Sequence, residues 1–315
     1  MSHTRNHAVR GSQGATSEQF NPVPKWRQRD RWWGAFFLAP QGLGILAFVL
    51  LPFVFSFVLA FTDWNGFGLL NFIAFDNFKD QFTDPLLGRA IANTLIIAIL
   101  TVPFGLMLSM IVAVLLNQVR GKTIYTILFF APVVTSSVAV ALIWQQLLRP
   151  DGWISTSIAK VFGIAPPDWL ANPTLALLAV CLVTIWSSMG LNVVIFHAGL
   201  QNISPSVLEA ARIDGAGQVR QFRSIIMPLL SPTIFFQSVI AFISSLQTFD
   251  LVFVLVKNAG PDNATRTIVY HIYDLGIAQG QLGLSSAAAM ILLMLSVIIT
   301  ALQFGAEKRF VHYEA

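Results

Sequence analysis

Residues 90–116 read AIANTLIIAILTVPFGLMLSMIVAVLL, an uncharged apolar run that starts after Arg89 and ends before Asn117. A helix rises about 1.5 Å per residue, so such a run covers the roughly 30 Å of hydrocarbon in a bilayer with some length to spare. A membrane strand needs only about ten residues and alternates apolar with polar side chains, which this run does not. Five further stretches have the same character, at about 34–62, 124–148, 174–199, 229–256 and 284–304. Within lipid a helix satisfies its own backbone polar groups. The expected fold class is therefore an all-α integral membrane protein with six transmembrane helices. Pro40, Pro52, Pro103 and Pro132 are expected to mark kinks in them.

The composition of the whole chain agrees. Of 315 residues, 55% are hydrophobic and 11% charged, against roughly a quarter charged in soluble domains. The net charge is only +4 and the basic residues are scattered at segment ends, so the bilayer, and not nucleic acid, is the expected partner. The single Cys181 excludes an internal disulfide and a cysteine metal cluster, and no metal or cofactor is expected. Three regions follow: a polar tail over 1–33 with no signal-peptide pattern, a transmembrane domain over 34–304, and a short tail over 305–315.

The distribution of charge orients the chain. If the N-terminus is inside, the outer segments hold Lys79, Arg89, Arg149, Lys160, Lys257 and Arg266, and the inner ones hold the other 13 of the 19 Lys and Arg. Basic residues favour the cytoplasmic side, so both termini and the 200–228 loop are expected there. The outer loops 63–89 and 149–173 are long enough either to dock a partner or to rest on the membrane as amphipathic segments.

The 200–228 loop interrupts the apolar pattern with a soluble phrase, Glu209-Ala210-Ala211-Arg212-Ile213-Asp214-Gly215-Ala216, followed by Phe222, Ile225, Pro228 and Pro232. Ser204 suits a helix N-cap and Pro205 the first helical position, and Gly215 suits a left-handed stop. A second short helix is expected from about 217 until the prolines break it. Ala210, Ala211 and Ala216 allow another surface to approach closely, with Glu209 as an acidic handle. An interfacial hairpin joining two spans is the plainer alternative.

This phrase resembles the coupling loop of permease subunits of binding-protein-dependent ABC importers, most closely the maltose-type carbohydrate family. Met227 stands where that family commonly has Leu before the Pro, a modest change of apolar shape. The resemblance in span order, loop placement and tail extends over roughly residues 30–310. It implies a multi-pass protein of the bacterial inner membrane. Its partners are then a dimeric ATP-binding cassette subunit, a second homologous permease subunit and an external solute-binding protein. Carried onto this chain, the residues coupling to the ATPase subunit are Glu209 and Gly215, with Ala210, Ala211 and Asp214 beside them. The function implied is ATP-driven import of a sugar or sugar-derived solute, with ATP hydrolysed elsewhere. The chain is not expected to be an enzyme: Gly121-Lys122-Thr123 mimics the end of a phosphate-binding loop, but Leu116 occupies the required first glycine and the flanks are apolar helices.

Polar side chains in mid-span face either a wet cavity or a neighbouring helix. Thr184, Ser188 and Asn192 recur every four residues in the fourth span, with Trp186 near its middle. In the fifth, Gln237, Ser244 and Thr248 fall within about 20° of one face at 100° per residue. The candidate substrate path is thus Trp186, Ser188, Asn192, Gln237, Ser244 and Thr248; ordinary helix contact is the alternative for the stripes. Asp250 is a gate, an ion ligand or, as its place near the outer end favours, a solvated helix end. A gradient-driven secondary carrier of a neutral solute competes with the importer, although such carriers usually show intramembrane charges or broken helices in matched halves.

Overall fold

The computed structural model describes residues 25–119 and 121–310. The expected tail over 1–33 falls mostly, and residues 311–315 of the C-terminal tail wholly, outside the described residues. Packing divides the chain into two units between Val54 and Phe55. Helix α1 (Lys25–Ile45) begins earlier than the expected start near residue 34 and continues through Pro40. A π turn over Leu46–Leu50 joins it to α2 (Leu51–Leu59), which carries Pro52. A proline offers no N–H and crowds the carbonyl four residues back, and the helix relieves this by widening just before Pro52, where the Leu51 N–H reaches back to Leu46 O.

The second unit, from Phe55, holds the remaining elements. After α3 (Asp76–Thr83), the Asp84 side chain caps α4 (Pro85–Gln118) by accepting from the Leu86 N–H at 2.8 Å, with Pro85 in the first turn. Helix α4 runs 34 residues and continues through Pro103. The third apolar stretch is not one straight span. It is α5 (Lys122–Phe130), a 3₁₀ turn at Ala131–Val134 containing Pro132, then α6 (Ser137–Leu148) and α7 (Trp153–Phe162), with a 99° bend between the two halves. Helix α8 (Pro173–Gln201) is uninterrupted and capped by Asn172, whose Oδ1 accepts from the N–H groups of Thr174 and Leu175.

The loop after α8 holds α9 (Pro205–Ile213) and α10 (Gln218–Gln221). A π turn over Phe222–Ile226 precedes Pro228, for the same reason as the one before Pro52, and leads through α11 (Met227–Leu229) to α12 (Ser231–Leu246) at a 68° bend. The fifth stretch was expected to be continuous over 229–256. Instead the helix unwinds over 247–249 and restarts as α13 (Asp250–Leu255). The chain finishes with α14 (Ile268–Tyr273), a π turn at Asp274–Ala278, and α15 (Leu282–Phe310), which carries helix well past residue 304.

Among the described residues, four helices are long and apolar enough to cross a membrane, and the count reaches six when each bent pair is one span. The helical membrane architecture read from the apolar runs is therefore observed. β structure among these residues is limited to one antiparallel bridge, Thr62 to Phe72. The core is built on α4 and α8. Val102, Leu106, Met110 and Ala113 of α4 pack with Val193, Phe196 and Leu200 of α8 and with Ile226 and Leu230. A second cluster joins Ile97 of α4, Val140 and Ala141 of α6, Ala176, Ala179, Val180 and Val183 of α8, and Leu251, Val252 and Leu255 of α13. Small residues on α8 allow close approach: a Cβ on Gly190 would lie 2.1 Å from the Phe129 carbonyl oxygen at the end of α5.

Candidate functional site: an exposed loop beneath a polar cavity

The 205–216 phrase folds as a self-contained knob. Gly215 takes φ +77°, and its N–H donates to Arg212 O while the Ala216 N–H donates to Ala211 O, the paired bonds of a Schellman stop. Pro205 opens α9, but the Ser204 hydroxyl meets Ser206 Oγ at 2.8 Å and bonds no backbone N–H of the helix. Ala211 is buried and Leu208 half-buried, packed near Phe222, whereas Glu209, Ala210, Asp214 and Gly215 are exposed. Two apolar side chains, Ile213 on the knob and Val219 on the adjoining α10, are 86% and 81% exposed. Gln221, which the sequence did not single out, is buried and its Nε2 donates to Ala216 O at 2.7 Å, locking α10 onto the turn. Nothing in its spacing signals this; a lone glutamine among Arg220, Phe222 and Arg223 reads as surface.

Above the loop, α4, α6, α8, α12 and the unwound 247–249 segment enclose a cavity of about 500 Å³. Ser188, Asn192, Gln237, Ser244 and Thr248 all line it, so five of the six residues proposed for a path are brought together. Asn192 and Gln237 are buried, and Gln237 Nε2 donates to Asn192 Oδ1 at 2.6 Å. Gln237 Oε1 and the neighbouring Ser187 Oγ have no partner. Trp186 does not line the cavity. It stands two residues from Ser188, about 200° around the helix, and instead meets Trp144 edge-on at 5.5 Å.

The structure adds lining residues that periodicity missed: Thr101 on α4, which faces Ser245 with 3.4 Å between hydroxyls, and Ser187, Gln247 and Asp250. Asp250 opens α13 and accepts from Ser137 Oγ at 2.9 Å across the bend of the third span. Asp250 therefore lies on the cavity wall.

Hydrogen bonds from other segments hold the unwound stretch and the far end of α13. Thr267 Oγ1 donates to Thr248 O at 2.9 Å in the break, and Gln145 Nε2 donates to Val254 O and Leu255 O in the last turn of α13. Carbonyls released by a broken helix need such partners in a dry surround. The Thr267 segment is itself anchored on α4 by Asn93, which donates to Asn263 O and Arg266 O, and by Thr94, whose hydroxyl accepts from the Ile268 N–H. Behind it lies a buried polar cluster. Arg266 pairs with Asp274 and donates to His271 Nδ1, which leaves His271 Nε2 to donate to Gln81 Oε1 at 3.0 Å.

Burial first, then the Arg266 charge, push the His271 pKa down to about 4 against the opposing pull of Asp84 and Asp274. The imidazole is neutral when folded, whereas in the unfolded chain it titrates near 6.5. Stability is thus unaffected above pH 6.5 and lost as the pH falls from 6.5 toward 4, by on the order of 3 kcal/mol. A melting-temperature series from pH 7.5 to 4.5 is expected to fall less steeply for His271→Gln, which keeps an acceptor for Arg266 and a donor for Gln81; parallel slopes would discount this assignment.

Residues 89–312 fit the family described as binding-protein-dependent transport system inner membrane component. The chain belongs to this family. A probable ABC transporter permease protein, YesP of Bacillus subtilis (strain 168), is 34% identical over 292 residues, covering 91% of this chain and 94% of the relative. The diacetylchitobiose uptake system permease protein NgcF of Streptomyces coelicolor is 32% identical over 286 residues, covering 85% and 81%. Two structures of bacterial alginate ABC transporters, one in complex with an alginate pentasaccharide-bound periplasmic protein, superpose with a TM-score of 0.81 at 23% identity. They cover 92% and 91% of this chain and 99% of the neighbour in each case. The chain is thus a multi-pass permease subunit of the inner membrane.

Proposed function

We propose that this permease carries a sugar or sugar-derived solute through the α8–α12 cavity, driven by an ATPase subunit that docks on the 205–216 knob. The observation that carries the reading is the direct connection of the two. Helices α8 and α12, which supply most of the uncharged polar wall, flank the knob in the chain. Hydroxyls and amides in a partly apolar cavity exchange hydrogen bonds with sugar hydroxyls. Relatives named for diacetylchitobiose uptake and neighbours named for alginate support a carbohydrate as cargo.

In this reading Glu209, Ala210, Ala211, Asp214 and Gly215 form the docking face, and the exposed Ile213 and Val219 add apolar area to it. A second permease subunit completes the path, and an external binding protein delivers the solute, as the binding-protein-dependent family name implies. The bias of 13 basic residues against six supports a cytoplasmic location for both termini and the knob.

Mild-detergent purification of the tagged chain from its host, followed by reconstitution, tests the assignment. Expected are a co-purifying ATPase subunit and second permease, and uptake that requires ATP. A lone chain that accumulates solute down an ion gradient without ATP would establish the secondary carrier instead. Within the cavity, Gln237→Leu removes both the bond to Asn192 and the unpaired carbonyl oxygen. Uptake is expected to fall about tenfold with the amount in the membrane unchanged, because a buried partner is left unsatisfied and a solute contact is lost. Retention of full uptake would argue that the cavity is only a packing gap.

A further inference from the structure

The charges of the cavity wall narrow the cargo further. Among the lining residues there is no Lys, Arg or His, and the one ionisable group is Asp250. An anion taken from water into a protein cavity needs a cation or several converging N–H donors to replace its hydration. Several of the wall's hydroxyls already donate within the protein: Thr184 Oγ1 to Val180 O, Ser188 Oγ to Ile185 O, Thr135 Oγ1 to Ala131 O and Ser137 Oγ to Asp250. One N–H of the Gln237 amide is donated to Asn192, and the buried Gln237 Oε1 is left as an open acceptor. A bare acceptor and a carboxylate on one wall call for a ligand that donates O–H or N–H groups, and they repel a negatively charged one.

We infer that this chain's wall selects uncharged or amino-bearing sugars and rejects phosphorylated and uronic ones, with Asp250 as the residue that sets this charge preference. The inference rests on the reading of the cavity as the solute path. It sets the chain apart from its structural neighbour, whose described cargo is an acidic polysaccharide, while at 23% identity the two share the fold.

The test uses the complete purified transporter, both permeases with the ATPase, and equilibrium dialysis of radiolabelled probes without the binding protein. The probes are three neutral disaccharides (lactose, cellobiose and diacetylchitobiose), together with digalacturonate as the dianionic disaccharide and glycerol 3-phosphate. The expected result is that the best neutral probe binds about tenfold or more tighter than either anion. Asp250→Asn, which keeps size and an acceptor for Ser137, is expected to shrink that ratio about threefold or more. Tighter binding of an anion by the native transporter, or a ratio unmoved by Asp250→Asn, overturns the charge selection alone. Failure of every probe to bind, neutral and anionic together, overturns the cavity as the path and this inference with it.

Discussion

Glu209→Ala is expected to cut ATP-driven uptake about tenfold or more while leaving the amount of protein in the membrane unchanged. Glu209 is exposed and makes no hydrogen bond or ion pair among the described residues, so its removal costs the chain none of its own stability. Its carboxylate is free to accept from a docking partner, and a charge-assisted hydrogen bond at such an interface is worth about 1.5–3 kcal/mol, or about ten- to a hundredfold in docking strength. The loss should therefore appear as slow ATP-dependent uptake in vesicles, with normal melting of the isolated protein. Gly215→Pro is expected to do the same by another route. Proline cannot adopt φ +77°, so the stop between α9 and α10 is lost and the knob loses its shape. Unchanged uptake in both variants would remove the coupling role from this loop.

Gly190→Ala is expected to have the largest effect on the fold itself. The added Cβ would sit 2.1 Å from the Phe129 carbonyl oxygen and 2.8 Å from its carbon, and backbone atoms cannot rotate away as a side chain does. Helix α8 must then back off from α5. Overpacking of this kind costs about 3 kcal/mol, against which the better helix propensity of Ala returns about 1 kcal/mol. Melting temperature and uptake should fall together. Gly105→Ala is the matched control: there the new methyl would meet Ile185 and Ser188 side-chain atoms at no closer than 3.9 Å, and neutral or slightly raised stability is expected. A Gly190→Ala protein as stable as Gly105→Ala would show that α8 does not depend on this contact.

Much of the site was readable because it rests on local rules. Apolar runs of sufficient length mark the helices, Gly215 marks a left-handed stop because few other residues tolerate one, and four-residue spacing put Ser188 and Asn192 on one face. The unwound 247–249 stretch was not readable: it contains no glycine or proline, and its Thr248 carbonyl is satisfied by Thr267, from a separate segment after α13. Pro132 announced a kink but not a 99° bend, since the angle depends on how α6 packs against α13. Trp186 was misplaced because an aromatic ring in mid-span was weighed by its chemistry, when its position two residues from Ser188 already turned it away from the stripe.

The restart at Asp250 has a further consequence for how such a permease can change over time. A continuous helix fixes every side chain to the register of its neighbours, so inserting or deleting one residue rotates all that follow. Here Leu246 and Leu251 lie buried in two separate helices, and Gln247, Thr248 and Phe249 lie between them on the cavity wall. This stretch can gain or lose a residue that meets a solute without re-indexing the helix contacts on either side. A lineage can therefore diversify what it takes up while keeping the same machine.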